Sequence, residues 1–511
     1  MNIEKQVLIH NWRKRLRYCK EMIEKQYLIM GVVSGLMVCA SYSLYYLSFI
    51  SLVPLLYCFN NKEKINNYKI LLATILFLIL WNAFNYQFLY SFYIEDVKVY
   101  IPVLIGVFTV LELLPFIVLL SNLKFKRVYF ICLWILMEYF ISQWILKTPF
   151  SYLGILLANN ASIIHWYNHT GVLGGSLWVI VVNVLITYEI GVVMRKGFKS
   201  FRYLYIIVAV IFLPITISLI ISDTPMPTNE ARKVKIHSYS SVCKIEQIQD
   251  RIIESNNDII TKGVCYDVFP ELVINLNNEN PEDNKIIESI INNNLQYKKD
   301  SLITILGANL TTWGKQQVLA VLINDDVVKT RYKDVLVPLG EEIPKMLDGI
   351  KNLDVYKNYL SETYITPDNN ESIFAWHADS IHVSICYESF FEQNLKEKLK
   401  DEVGALFVIA REPFLNNYHY KNLTRLLSVC NAIIFNKYLV RSSWCGLSCI
   451  IDNRGYVLNE VYNKNDVLES VFYLNKKDTY YLTSRCNPVL VFILLLLFFV
   501  IMVNFTSRFI I

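Results

Sequence analysis

The chain has 511 residues, of which 54% are hydrophobic and 18% charged, whereas an ordinary soluble chain carries roughly 25% charged residues. Its 17 Gly and 14 Pro are too few for a collagen-like or low-complexity chain, and 11 Cys are too dilute for a disulfide-stapled scaffold. The net charge of +5 is small, and the basic residues cluster at the ends of apolar runs, which leaves nucleic-acid binding without support.

The apolar residues collect in the first 221 positions and again at the end. A helix needs ~20 apolar residues to cross a bilayer. The predicted spans are 27–41, 43–59, 70–91, 100–121, 128–146, 172–194, 203–221 and 488–506. The first two are short, with only Ser41-Tyr42 as a break. Charge decides that they are separate crossings. Lys and Arg concentrate before residue 26 and in the loops at 60–69, 122–127 and 195–202, whereas the loops between hold little more than Lys98 and Lys147. Under the positive-inside rule this alternation requires 27–59 to cross twice. Residues 1–26 then form a basic cytoplasmic N-terminus and 27–221 a membrane domain of seven helices. Residues 229–487 form a domain outside the cytoplasm, and an eighth helix within 488–511 returns the chain to the inside. The expected location is a bacterial inner membrane, with both termini cytoplasmic. The polar start, lacking a small-residue cleavage site after the first apolar run, does not read as a cleavable signal peptide. The spans hold few ionisable residues, chiefly Glu112 and Glu138 with Glu189 near an end, and no internal repeat is visible. Both features weigh against a transporter.

The stretch KTPFSYLGILLANNASIIHWYNHT, from Lys147 to Thr170, is aromatic and apolar yet not a span. It reads either as an interfacial loop without chemistry or as a platform where lipid meets the soluble domain. Gly171, Gly174 and Gly175 follow and permit close helix packing.

Residues 229–487 alternate short apolar runs with amphipathic stretches, which predicts an α/β layered domain of about 240 residues. Strands are expected at 234–238, 301–308, 318–323, 381–386, 405–410 and 447–451, and helices at 282–294 and 419–435. Three segments stand out: DVFPELVI with Glu271, RYKDVLVPLGE with Lys333 and Glu341, and IHVSICYES with Cys386, Tyr387 and Glu388. A thiol at a strand-to-helix turn is expected to be exposed, with its thiolate stabilised by the helix N-terminus. Such a nucleophile needs a base for its proton and a cation for the developing oxyanion, roles that Glu and Lys can fill. His382 shares a strand face with Cys386 but lies ~13 Å away at strand rise. Each residue alone is ordinary: a lone Cys at a strand end is usually a small buried hydrophobe.

Taken together, Glu in a "PE" loop, Lys before "LVPxGE" and Cys in "ICYE" resemble the nitrilase, or carbon–nitrogen hydrolase, superfamily. With the membrane part, including TPFSYLG and HWYNHTGVLGGSLWVIVVN, the chain resembles a divergent apolipoprotein N-acyltransferase. That resemblance implies a polytopic helical membrane domain of about eight spans joined to a four-layer αββα sandwich. It implies a Glu271–Lys333–Cys386 triad of base, oxyanion stabiliser and nucleophile, with Glu341, Tyr387 and Glu388 in support. It also implies acyl transfer from a phospholipid to the N-terminal amine of a lipid-modified cysteine of an apolipoprotein, through a thioester and ping-pong kinetics, as the last step of bacterial lipoprotein maturation. The implied partners are the phospholipid donor and the lipoprotein acceptor of a membrane-embedded monomer, with no cofactor and no metal. A membrane-anchored nitrilase-type amidase and a catalytically impaired lipid- or lipoprotein-binding relative are the alternatives.

Two departures bear on the last alternative. Where the family has Asn-Asp with aromatics, this chain has Ala410-Arg411-Glu412-Pro413-Phe414. Counting back from Arg441, the family's supporting Glu falls on Ile434, and Asn431 replaces an Arg. Seven cysteines (243, 265, 386, 430, 445, 449 and 486) lie in or beside the domain expected to face an oxidising compartment. Cys445 and Cys449 have no second pair or His cluster to complete a metal site, so buried free thiols are expected.

Overall fold

The structure is a computed structural model. It describes residues 26–60, 66–91, 98, 100–196, 203–222, 231–258, 266–277, 287–289, 291–292, 302–312, 315–324, 327–343, 345, 363–364, 374–376, 379–399, 403–412 and 417–509. The expected N-terminal basic segment and most of the helix expected at 282–294 lie outside them.

The apolar runs form helices. These are α1 (Gln26–Ser41), α2 (Val53–Asn60), α3 (Asn67–Asn85), α4 (Ile101–Leu120), α5 (Lys126–Gln143), α6 (Val172–Lys196) and α7 (Leu204–Ser222). At the end of the chain stands α11 (Pro488–Phe509). Among the described residues, five helices are long and apolar enough to cross a membrane: α3, α4, α6, α7 and α11. Helix α5 has 18 residues but includes Lys126, Arg127 and Glu138. The break at Ser41-Tyr42 is a true turn. Its Tyr42 hydroxyl donates to Asn85 Oδ1 at 2.5 Å and to the Phe150 carbonyl at 3.2 Å, so α1 and α2 are two short apolar helices rather than one bent span. The expected eight spans thus correspond to five full-length helices, two short ones and α5.

The segment between α5 and α6 folds into short 3-10 turns, Pro149–Ser151, Leu153–Asn159 and Ala161–Ile163. Phe150, Leu153, Ile155, Leu156 and Leu157 are buried in the same apolar cluster as the membrane helices. It is an internal platform, not a loose surface loop.

After α7 the period of the pattern changes from helical to alternating. The strands are β1 (Ala231–Ser238), β2 (Tyr266–Val268), β3 (Ile274–Asn277), β4 (Ile303–Thr312), β5 (Lys315–Asn324), β6 (Val327–Tyr332), β7 (Thr363–Tyr364), β8 (Phe374–Trp376), β9 (Asp379–Ile385), β10 (Ala405–Arg411), β11 (Tyr438–Trp444), β12 (Leu447–Ile451), β13 (Val457–Tyr462) and β14 (Asp466–Tyr473). One sheet runs β14-β1-β2-β4-β5-β6, with β3 on β4 and β7 on β5; the other runs β13-β12-β11-β10-β9-β8. β10 is parallel to both β9 and β11. Alternate residues on each strand face opposite ways. Ile236, Val268, Ile305 and Ala320 of the first sheet meet Val383, Ile385, Phe407 and Ile409 of the second in one core.

The outer faces are covered by helices. Helix α8 (Ile245–Asp258) lays Ile248 and Ile252 on the first sheet, and the short α9 (Glu392–Lys398) follows the turn after β9. Helix α10 (Tyr418–Phe435) covers the second, starting from Asn417, whose side chain accepts from the amides of His419 and Tyr420. Leu406 and Val408 of β10 and Leu423, Leu426 and Leu427 of α10 belong to the cluster that continues into the membrane helices. The result is an αββα sandwich whose second helical layer sits directly on the bundle. Asn422 donates to the Tyr42 carbonyl at 2.8 Å, and Arg425 to Asn159 at 3.2 Å.

Candidate functional site

Three strand ends converge. β2 is followed by Phe269-Pro270 and then by Glu271, 2% exposed. Its loop is pinned to β4: the Phe269 amide donates to the Ile305 carbonyl at 2.8 Å, and the Gly307 amide to the Pro270 carbonyl at 2.9 Å. A Cβ at Gly307 would stand 2.3 Å from the Glu271 Cα, so only glycine lets the strand back onto this loop. β6 delivers Lys333, also 2% exposed, whose amide donates to the Val318 carbonyl at 2.8 Å. β9 delivers Cys386 at the first position of a 3-10 turn, Cys386–Phe390.

Lys333 Nζ donates to Glu271 Oε1 at 3.0 Å and to Glu341 Oε1 at 2.7 Å. The other oxygen of each carboxylate is fixed by a backbone amide at 2.9 Å, Arg411 N for Glu271 and Val337 N for Glu341. The Cys386 thiol donates to the carbonyl of Arg411 at 4.0 Å, whose own amide holds Glu271, and Cys386 and Glu271 are close enough to shift each other's titration. The structure therefore brings Glu271, Lys333, Glu341 and Cys386 into one buried cluster. Three non-glycine residues in these loops have positive φ: Leu272 (58°), Leu339 (63°) and Cys386 (50°). This left-handed backbone costs free energy for L-residues; it falls at Cys386 itself, directly after Glu271 and two residues before Glu341.

Burial pushes the Glu271 carboxyl above its ordinary range; Lys333 partly offsets this and Glu341 adds to it. Burial acts against the Lys333 charge, but the adjacent Glu271 and Glu341 more than compensate, and the ammonium titrates well above its usual range. Cys386 is raised well above the ordinary thiol range, by burial first and then by Glu271. The expectation of an exposed, helix-stabilised thiolate is thus overturned. The sulfur's residue is only 8% exposed, the element that follows is a five-residue 3-10 turn, and the resting thiol keeps its proton.

Glu388 and Tyr387 hold the turn. Glu388, fully buried, accepts from Arg331, from the Ile385 amide at 2.5 Å and from the Asp334 amide at 2.9 Å. The Tyr387 hydroxyl donates to the Lys147 carbonyl, and its ring packs 6.4 Å from Phe150. The nucleophile's turn therefore rests on the platform between α5 and α6.

Sequence reasoning did not single out Arg331, although strand alternation places it on the Lys333 side of β6. It left the role of Glu412 open. Glu412 is 2% exposed and accepts from Arg441 at 2.8 Å, Tyr420 at 2.9 Å and Ser443 at 3.1 Å. A Cβ at Gly446 would stand 1.7 Å from Glu412 Oε2. Glu412 acts electrostatically on the Cys386 thiol, raising it. Ile434 lies 14 positions beyond Tyr420 on α10, ~21 Å further along the axis, fully buried in the apolar cluster shared with the bundle. Lys333 already has two acidic partners, Glu271 and Glu341. Asn431 donates to the Ser389 carbonyl at 2.7 Å and so supports the nucleophile's turn. Among the described residues no group of three or more His, Cys, Asp or Glu is placed to hold a metal ion. Nine described cysteines are free.

Comparison with known proteins adds the following. No curated protein matches the chain. Solved structures similar to it include the glutamine-dependent NAD+ synthetase from Acinetobacter baumannii, at 17% identity and a TM-score of 0.35, over 48% of this chain and 46% of that one. The amidase from Nesterenkonia sp. AN1 is similar at 12% identity and a TM-score of 0.35, over 50% of this chain and 98% of its own. Nit3 from Saccharomyces cerevisiae, a member of branch 10 of the nitrilase superfamily, is similar at 13% identity and a TM-score of 0.35, over 48% and 90%. The chain thus spans less than half the length of the NAD+ synthetase. Residues 33–185 match the family described as the apolipoprotein N-acyltransferase N-terminal domain. The chain is therefore similar, across the helices and the platform on which the Cys386 turn rests, to the N-terminal domain of the apolipoprotein N-acyltransferases.

Proposed function

We propose that this protein is a membrane acyltransferase that carries a fatty acyl group on Cys386 from a phospholipid to the N-terminal amine of a lipid-modified cysteine of an apolipoprotein. The observation that carries the proposal is the docking of the Cys386 turn, beside Glu271 and Lys333, onto the 147–150 platform. A thiol placed there receives its acyl donor from the bilayer.

In the first half-reaction Glu271, as the carboxylate, takes the thiol proton while sulfur attacks the ester carbonyl carbon. Lys333 donates a hydrogen bond to the developing oxyanion, an interaction strongest where charge is greatest. As the tetrahedral adduct collapses, the ester C–O bond breaks, Glu271 returns the proton to the leaving oxygen, and lysophospholipid departs. In the second half-reaction the neutral acceptor amine attacks the thioester, Glu271 takes a proton from the nitrogen, and the C–S bond breaks. Sulfur recovers its proton from Glu271, so the protein ends as it began. The raised Glu271 pKa suits a group that must both take and return a proton. Glu341 holds the Lys333 ammonium against Glu271, and Tyr387 and Glu388 hold the turn. The proposed setting is the bacterial inner membrane, with residues 229–487 outside the cytoplasm.

The test is reconstitution in vesicles of phosphatidylethanolamine and phosphatidylglycerol with a synthetic diacylglyceryl-cysteine peptide. The expected product is the N-acylated peptide, formed in proportion to lysophospholipid. Release of free fatty acid or a free carboxylic acid, with the peptide unchanged, contradicts the proposal and fits a hydrolase.

A further inference from the structure

The cations packed around Cys386 are neutralised in pairs. Arg331 has Glu388 and Asp334, Lys333 has Glu271 and Glu341, and Arg441 has Glu412. Arg411 is different. Among the described residues it meets no carboxylate, and its Nε is shut off from water without an acceptor. Its Cζ stands over the Trp444 ring, 4.4 Å from the centroid, and that ring is fixed by the Trp444 Nε1 bond to the Ser240 carbonyl at 3.1 Å. An aromatic ring holds a guanidinium by its face and leaves the in-plane N–H donors unspent. A buried donor without an acceptor costs free energy. The half-buried Arg411 is therefore a cation held in place with capacity left for an anion.

Its backbone fixes where that anion must lie. The Arg411 amide donates to Glu271 Oε2 and the Arg411 carbonyl accepts from the Cys386 thiol. Ile409, on the same side of β10 by strand alternation, packs into the core between the two sheets. β10 lies between β9 and β11, and Arg411 is in register with Trp444 of β11. The ring under the guanidinium is thus two strands from the strand that ends in Cys386, ~10 Å away.

That separation selects a ligand. In a glycerophospholipid a glycerol linker joins each ester carbonyl carbon to the phosphorus, a span of ~7 Å at ~1.5 Å per bond. A charge-assisted hydrogen bond from guanidinium to phosphate oxygen adds ~3 Å. An ester carbonyl at the sulfur therefore brings its own phosphate to Arg411, whose planar fork suits phosphate. The acceptor amine, a cation until it loses its proton, is disfavoured there. We propose that Arg411, braced on Trp444, binds the phosphate of the acyl donor while an ester carbonyl of the same lipid sits at Cys386. This subsite rests on the acyl-transfer reading above and adds to it the residue that selects a phosphate-bearing donor over a neutral one.

The test has two arms on the full-length chain in detergent micelles. In a Cys386→Ala background, where no donor is consumed, native mass spectrometry compares retained dioleoyl phosphatidylglycerol with retained dioleoylglycerol. Arg411→Gln should lower retention of the phospholipid about tenfold more than that of the neutral lipid. With Cys386 present, acyl-enzyme formation from dipalmitoyl phosphatidylglycerol is compared with that from p-nitrophenyl palmitate, which has no phosphate. Arg411→Gln should slow the phospholipid reaction about tenfold more than the p-nitrophenyl ester reaction, and Arg411→Lys, which keeps one cation, should fall between parent and Arg411→Gln. Each comparison is a ratio within one variant, so a partial loss of folded protein cancels. Equal falls for the phosphate-bearing and phosphate-free compounds in both arms overturn the subsite. A parent that retains phospholipid through Arg411 but is never acylated by it would support the subsite and count against the proposed function alone.

Discussion

Arg331 and Glu388 form an ion pair from which solvent is wholly excluded, and this pair joins the loop of Lys333 to the turn of Cys386. Arg331 also reaches Asp334 at 2.9 Å, and Glu388 accepts from the Asp334 amide. The two reactive loops are therefore set by one guanidinium fork rather than by their own short turns. Arg331→Met leaves a buried carboxylate without its partner, a loss of about 3–5 kcal/mol. Arg331→Lys should not restore it, because a single ammonium cannot serve both carboxylates in the same geometry. Thermal unfolding should show both variants destabilised, with Arg331→Met the worse, and single-turnover acylation should fall at least tenfold in whatever folds.

Glu412 is a further buried carboxylate acting on the sulfur, and it raises the thiol. Removing its charge while keeping its shape should make the thiolate easier to form. Glu412→Gln is expected to raise the rate of Cys386 alkylation by iodoacetamide several-fold at neutral pH. It should also slow acyl transfer, since Arg441 loses the charge of its partner and one of the two oxygens that accept from Tyr420, Arg441 and Ser443 becomes an NH2 donor. An unchanged alkylation rate would remove Glu412 from the electrostatics of the site.

Gly307 leaves no room for a side chain. Gly307→Ala should displace the Glu271 loop, because the new Cβ meets backbone at 2.3 Å, which cannot rotate away. Activity should drop 100-fold or more, with a smaller fall in melting temperature. A variant with normal turnover would show that the Glu271 loop does not need its present position.

His419 lies between Tyr42 and Phe84, with ring centroids 4.9 and 4.3 Å away, where α10 meets the bundle. Burial lowers its pKa to about 4, below the roughly 6.5 of an unfolded histidine. The unfolded chain therefore takes up the proton first, and this contribution to stability is full above pH ~6.5 and is lost as pH falls toward 4. Melting midpoints across that window should decline more steeply for the parent than for His419→Phe. Parallel declines would mean that other groups dominate.

Much of this arrangement was legible in the sequence because it is local. Glu271 follows a short apolar strand, and Lys333 and Cys386 end longer ones, so each is readable within its own segment; their meeting is not, because β4 and β5 separate β2 from β6 and β9 belongs to the other sheet. The apolar runs located most helices to within a few residues, although α2 begins ten residues later and α3 ends six residues earlier than expected, and the alternation pointed to the sandwich. The pairings of Arg331 with Glu388, and of Glu412 with Arg441 and Tyr420, join residues far apart in the chain, and no period or spacing announces them. Counting from Arg441 puts the family's supporting Glu at Ile434, which is fully buried in apolar packing; Asn431, one turn earlier, is the residue of α10 that bonds the Cys386 turn, and spacing alone does not announce that contact. The thiol's protonation was misjudged because exposure was inferred from a strand end, and the platform of residues 147–170 covers that end.

The most direct measurement is the intact mass of the protein after exposure to vesicles of dipalmitoyl phosphatidylethanolamine without acceptor. The account predicts one added palmitoyl group on Cys386, released by neutral hydroxylamine, absent from Cys386→Ala and slowed at least 100-fold by Glu271→Gln. An adduct of the same mass and hydroxylamine lability on Cys386→Ala, or no adduct on the parent while acceptor peptide is still acylated, would contradict it.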